Sequence, residues 1–190
     1  MSENQTKSLT ISYVMVKIGD REKLIPTIEQ LYLNDHVIYC DAVDGDYDLV
    51  LLIQGASPAE VDHFIREHIK NLNGVQMIDS CLVNTPPDEL LQKGAVDSGE
   101  ASAPGRYDGS MAQSYLLVEA DKNHHNDIVR SLQSLDSVTA CDSTTGKFSL
   151  IILLNAPGFD VIRKIIAEKI RPLPGILRVK QSRIIKMFEM

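Results

Sequence analysis

The chain has 190 residues, 44% of them hydrophobic, and a formal net charge of −7 at neutral pH. That length allows one large domain or two small ones. No apolar run approaches the ~18 residues of a membrane span, and the acidic balance would repel phosphate, so neither a membrane nor a nucleic acid is expected as a direct partner. The polar start MSENQTKS lacks the apolar stretch of a secretory signal, and three cysteines form an odd set without CxxC spacing, so a reduced, cytoplasmic protein is expected.

Residues 11–18, ISYVMVKI, are rich in β-branched side chains and predict a first strand. Between Asp20 and Asn34, Leu24, Ile28 and Leu31 recur at helical spacing and share one face. Pro26 fits such a helix only near its start. A second strand, Val37 to Val43, runs through Asp44-Gly45-Asp46 into a third, Tyr47 to Ile53, which reads as a hairpin. Ser57-Pro58-Ala59-Glu60 then supplies a cap, a proline at the first helical position and the glutamate of a capping box. Val61, Phe64, Ile65, Ile69 and Leu72 trace the apolar stripe of that second helix, Asn73-Gly74 stops it, and Val75 to Val83 makes a fourth strand. The order is βαββαβ.

Asn84 to Gln113 holds seven Pro and Gly among small polar residues and reads as a linker, with a single helical turn at Asp88–Gln92. The chain then repeats itself. VIYCDAVDGDYDLVLLI around Cys40 returns as VTACDSTTGKFSLIILL around Cys141, at a constant spacing of 101 residues. A strand from Ser114 to Ala120, a helix over about Asn123–Leu135, a hairpin around Gly146, a helix over Phe159–Ile170 and a last strand from Ile176 to Lys186 complete a second βαββαβ unit. The expected organisation is therefore a first unit at 9–84, a flexible linker at 85–113 and a second unit at 114–190. A linker of ~28 residues spans tens of ångströms, so the units can pair within one chain or across two.

A βαββαβ unit places both helices on one face of an antiparallel sheet. If the other face met water, the third strand would alternate apolar and polar residues. Leu49-Val50-Leu51-Leu52-Ile53 and Leu150-Ile151-Ile152-Leu153-Leu154 do not alternate. Each such residue is worth ~1.5–3 kcal/mol when buried, so the helix-free faces must be covered, most economically by each other. The predicted fold class is α+β: tandem ferredoxin-like units pairing face to face as a dimeric α/β barrel. Charge agrees with this pairing. Residues 1–84 carry 6 Lys/Arg against 13 Asp/Glu, whereas residues 113–190 carry 11 against 8. The basic run Arg178, Lys180, Arg183, Lys186 reads as a solvated strand face or as pairing between the copies.

Gly45 and Gly146 sit where a hairpin needs positive φ. Asp48, at a strand start, is either a carboxylate for a ligand ammonium, worth ~1.5–3 kcal/mol, or a partner for hairpin amides. Asp41 and Asp142, which follow the paired cysteines, read first as solvated or turn-stabilising and second as ligand contacts. Tyr47 and Phe148 read as packing residues before they read as a stacking platform. Cys40, Cys81 and Cys141 read as small buried hydrophobes, and His124-His125 as solvated. No nucleophile–base set, phosphate loop or metal-ligand spacing can be assembled, so no enzyme, cofactor or metal is expected.

The strand order, the Asp44-Gly45-Asp46-Tyr47-Asp48 hairpin and the Gly74-Val75 stop resemble the ligand-binding domain of Lrp/AsnC-type transcription regulators. Val37, Gly45, Tyr47, Asp48 and Gly74-Val75 carry the resemblance in the first copy. Val138, Thr145-Gly146, Phe148 and Leu173-Pro174-Gly175-Ile176 carry it in the second. The first strand begins near residue 9, which leaves no room for the helix-turn-helix usual in that family, and Ser149 stands where its aspartate is expected. The resemblance implies a non-catalytic regulatory module that senses a small amino-acid-like metabolite and acts through oligomerisation. It implies a ligand site beside the hairpins, at Asp41, Gly45, Tyr47 and Asp48 and at Asp142, Gly146, Phe148 and Ser149. The implied partners are the effector, a second copy or the other unit of the same chain, and a regulator protein. A ligand-free assembly domain and an ACT-like tandem amino-acid-binding domain, with sheets joined edge to edge, are the alternatives.

Overall fold

The computed structural model describes residues 9–84 and 111–185. The expected linker falls outside the described residues except at its last three positions, as do the turn at Asp88–Gln92 and Lys186. Strand β1 (Thr10–Ile18) leads through a 3₁₀ turn into helix α1 (Leu24–Tyr32), then β2 (Val37–Asp44), β3 (Leu49–Gly55), α2 (Pro58–Phe64) and β4 (Val75–Val83). The second succession is β5 (Ala112–Ala120), α3 (His125–Gln133), β6 (Val138–Gly146), β7 (Leu150–Ala156), α4 (Phe159–Ile165) and β8 (Ile176–Ile184). Strand β5 thus starts two residues before the expected Ser114.

Local chemistry explains the helix ends. Ser57 is extended and its hydroxyl accepts the Glu60 N–H, as a cap should. Glu60 closes the box differently from expectation: its carboxylate takes the N–H of Ala56 at 2.7 Å, one residue before the cap. In the second unit Gly158 stands at the equivalent place with no side-chain cap. Both second helices finish in a π turn, where Lys70 N–H donates to the Ile65 carbonyl and Arg171 N–H to the Ile166 carbonyl, each at 2.9 Å. Gly74 and Gly175 then turn the chain at φ +93° and +88°, a left-handed conformation that suits glycine.

The eight strands close into one antiparallel barrel in the order β1-β3-β2-β8-β5-β7-β6-β4, with β4 returning to β1. Each unit supplies four consecutive strands of the ring. The units join at two short seams. Val43 and Asp44 of β2 face Ile184 and Arg183 of β8. Cys81, Leu82 and Val83 of β4 face Gly146, Thr145 and Thr144 of β6. One further backbone bond extends each seam: Ile185 N–H to the Ala42 carbonyl, and Asn84 N–H to the Ser143 carbonyl.

The apolar third strands now have their explanation. Val14, Leu49, Leu51 and Ile53 pack outward under Ile28, Leu31, Val61 and Phe64 of the helices. Leu116, Leu150, Ile152 and Leu154 do the same under Ile128, Leu132, Ile162 and Ile166. The opposite faces meet inside the barrel, where Met15, Tyr47, Val50, Leu117, Phe148 and Ile151 form a third, shared core. The pairing is face to face, within one chain, with helices outside.

Candidate functional site at the interface between the units

A pseudo-symmetric pair of hydrogen bonds crosses the largely apolar barrel interior. Tyr13 of β1 donates its hydroxyl to Asp142 of β6, and Tyr115 of β5 donates to Asp41 of β2, each at 2.6 Å. Each bond crosses from one unit to the other. The two tyrosine rings stand edge to face, with centroids 6.5 Å apart. Asp41 and Asp142 are 7% and 5% exposed, so the expectation that they are solvated is corrected. A buried carboxylate needs partners, and the opposite unit supplies one. Burial pushes the Tyr13 hydroxyl well above its usual pKa, and the charges of Tyr39 and Asp142 add to the shift. Ala140 occupies the place of Tyr39 in the second unit, so this interior cluster is not fully symmetric.

Gly45 and Gly146 belong to the seams. A Cβ on Gly146 would lie 2.7 Å from the Ser80 carbonyl oxygen, and one on Gly45 would lie 3.0 Å from that of Gln181. Both glycines let the last strand of the other unit come close. Gly146 also has the expected positive φ, +135°, whereas Gly45 at +159° borders on extended backbone.

Beside them lie the hairpin charges. Tyr47 is buried and its hydroxyl donates to Asp79 at 2.6 Å; the Lys147 ammonium donates to the same carboxylate oxygen at 2.7 Å and to the Tyr47 hydroxyl at 3.3 Å. At the other seam Lys180 pairs with Asp46. Burial and the bond to Asp79 push the Tyr47 hydroxyl up to about 12. Burial alone would raise Asp79, but the bonds from Lys147 and Tyr47 outweigh it and hold its carboxyl below the usual range. The bond from Lys180 lowers Asp46 likewise, and the bond to Asp79 raises Lys147.

Asp48 and Ser149 lie where the first strand of each unit ends in a register shift. Asp48 accepts the Ile18 N–H at 2.7 Å and the Lys17 ammonium at 3.0 Å. Ser149 accepts the Ala120 N–H at 2.8 Å and donates to the Val118 carbonyl. The two residues therefore close the same backbone feature, and only the first unit adds an ammonium. Phe148 is fully buried, with Lys147 5.8 Å from its ring centre.

Of the expected site residues, Asp41, Tyr47, Asp142 and Phe148 lie inside the barrel, Gly45 and Gly146 on its seams, and Asp48 and Ser149 at the ends of β1 and β5. Sequence reasoning missed Tyr13, Tyr115, Lys17, Asp46, Asp79, Lys147 and, as a specific ion-pair partner, Lys180. The signal available for the tyrosines was their matched placement in the two first strands. His125, expected to be solvated, instead bonds Ser143 at 2.8 Å. Arg178 faces Glu119 of its own unit, and Arg183 lies over the Phe159 ring. Among the described residues no cluster of three or more His, Cys, Asp or Glu could hold a metal, and no helix is long and apolar enough to cross a membrane.

Two units closed into one barrel and bonded to each other across its interior and seams define a tandem α+β barrel protein. The family model of the Lrp/AsnC ligand binding domain matches residues 11–89 and 113–189, and the chain belongs to that family. No curated protein matches the chain. Among solved structures, the siroheme decarboxylase NirDL is similar with TM-score 0.65 and 13% identity, over 94% of this chain and 72% of that one. E. coli AsnC is similar with TM-score 0.41 and 15% identity, over 46% of this chain and 58% of that one. A transcriptional regulator from Neisseria meningitidis in complex with L-Met is similar with TM-score 0.37 and 20% identity, over 45% of this chain and 56% of that one. Domains of this family are effector-binding regulatory modules, and the two-unit fold also occurs in an enzyme.

Proposed function

We propose that this chain is a non-catalytic sensor that binds a small amino-acid-like metabolite at the first unit's hairpin and passes the signal on by changing assembly with a regulator protein or a second copy. Family membership of both units supports a ligand-binding role. The observation that carries the particular ligand class is the Lys17–Asp48 pair. The two charges stand 3.0 Å apart, and the Lys17 side chain is 34% exposed. An amino acid carries the complementary pair: its ammonium matches Asp48 and its carboxylate matches Lys17. The second unit has Ser149 and Glu119 at the corresponding places, with Glu119 turned to Arg178, and so lacks that match.

A non-catalytic role is supported by the interior. Met15, Tyr47, Leu117, Phe148 and Ile151 fill it, and Tyr13 holds its proton more firmly than a free tyrosine. A general acid or base at neutral pH is better served by a pKa near 7.

Thermal unfolding with each common amino acid at millimolar concentration tests the reading. A ligand at about 100 times its Kd adds ~2.7 kcal/mol to stability and raises Tm. Lys17→Met should abolish the rise. Asp48→Asn, which keeps an oxygen for the Ile18 N–H but removes the charge, should abolish it too. Unchanged melting with every amino acid would remove the sensor claim.

A further inference from the structure

The two seams are chemically unlike although the units are copies. Position 46 in the first hairpin corresponds to 147 in the second, and position 79 in β4 corresponds to 180 in β8, at the same spacing of 101 residues. The first unit has Asp46 and Asp79. The second has Lys147 and Lys180. In the observed barrel each hairpin residue meets the last strand of the other unit, so both contacts are between opposite charges: Lys147 with Asp79 at 2.7 Å, and Asp46 with Lys180. The pairs also sense one another, since Lys180 acts on Asp79 and Lys147 on Asp46.

The same geometry gives a different result for any other pairing. Two first units would set Asp46 against Asp79 at both seams. Two second units would set Lys147 against Lys180 at both. Like charges so placed repel, and repulsion is a device for rejecting wrong partners. The interior bonds offer no such choice. Tyr13 matches Tyr115 and Asp41 matches Asp142, so every combination of units would form them. The glycines at the seams are matched as well.

We infer that the charges at 46, 79, 147 and 180 are the determinant of partner choice, directing the first unit onto a unit of the second kind and excluding its own kind. Asp44 and Arg183 also face each other across the β2–β8 seam. Their counterparts Thr145 and Leu82 are uncharged, so they attract in this pairing without repelling in any other. The surface is the pair of barrel seams, and the partner it fits is a βαββαβ unit with lysines at the hairpin and last-strand positions. In this chain that partner is the second unit. The inference stands apart from the ligand reading, because Lys17 and Asp48 take no part in the seams.

Charge inversion in the full-length chain tests it. Asp46→Lys with Asp79→Lys makes both units basic at the seams; Lys147→Asp with Lys180→Asp makes both acidic. Each double variant should melt lower than the parent by about 4–8 °C, and added salt should raise its Tm by screening the repulsion. The quadruple variant, with all four charges exchanged, should recover most of the loss. An aspartate at 147 is shorter than the lysine whose ammonium lies 3.3 Å from the Tyr47 hydroxyl, so the bond that Tyr47 gives Asp79 is the part of the loss that stays. The decisive arm is mixing. Within each double variant the units repel, but across the two variants every seam is complementary, so an equimolar mixture should yield a two-chain complex by light scattering. If a double variant fails to fold alone, cooperative melting regained on mixing carries the same meaning. Double variants that melt like the parent, or a mixture and a quadruple variant that both fail to regain stability, would overturn the inference.

Discussion

Tyr13 and Tyr115 show how a duplicated chain joins its halves. Each gives its hydroxyl to a buried aspartate of the other unit, and a hydrogen bond to a charged group is worth ~1.5–3 kcal/mol. Tyr13→Phe and Tyr115→Phe should each lower stability by about that amount in urea unfolding. A loss below ~0.5 kcal/mol in both would mean that the bonds are incidental. Asp41 and Asp142 were illegible as interior groups because their partners lie 74 and 129 residues away in sequence. An aspartate after a cysteine within a strand looks the same whether its side chain meets water or a distant tyrosine. Tyr47 and Phe148, by contrast, read as packing residues and are fully buried, although Asp46 and Asp48 flank the one and Lys147 and Ser149 the other.

At the scale of elements, periodicity and turn chemistry placed most boundaries. The fourth strand falls at Val75–Val83 as expected, since Gly74 before it is a local signal. The third strand begins at Leu49 and not at Tyr47, although the Asp48 backbone already bonds both neighbours, donating to the Val16 carbonyl and accepting the Val43 N–H, each at 2.9 Å. The π turns that end both second helices leave no signature in composition. Ser57 was legible as a cap, and Ser57→Ala should cost ~1 kcal/mol in thermal or urea unfolding. Gly158 sets the contrast in the second unit, where no side chain performs that task. A Ser57→Ala chain as stable as the parent would show that α2 is held by packing alone.

At the scale of the whole molecule, the non-alternating third strands were sufficient to require a second apolar layer, and the barrel supplies it. Which strands would meet at the seams was not legible, so the exchanged charges at 46, 79, 147 and 180 carried no meaning until β2 was placed beside β8 and β4 beside β6. Those charges also set a pH dependence. Asp46 and Asp79 have lowered pKa values in the folded chain. Their contribution is therefore complete above the ordinary carboxylate pKa of ~4 and is lost as pH falls through the lowered values. Lys147, raised by its partner, contributes below the ordinary lysine value of ~10.4 and loses that contribution as pH rises through its raised one. Tm should thus be level through neutrality and fall in acid, less steeply once Asp46 and Asp79 are both replaced by Asn.

The central claim is a single-chain barrel whose unlike units leave one amino-acid site, at Lys17 and Asp48. Titration calorimetry of the full chain against the common amino acids tests it most directly. The account requires saturable heat with one ligand per chain, lost in Lys17→Met; two equivalent sites per chain, or no heat at millimolar ligand, would contradict it.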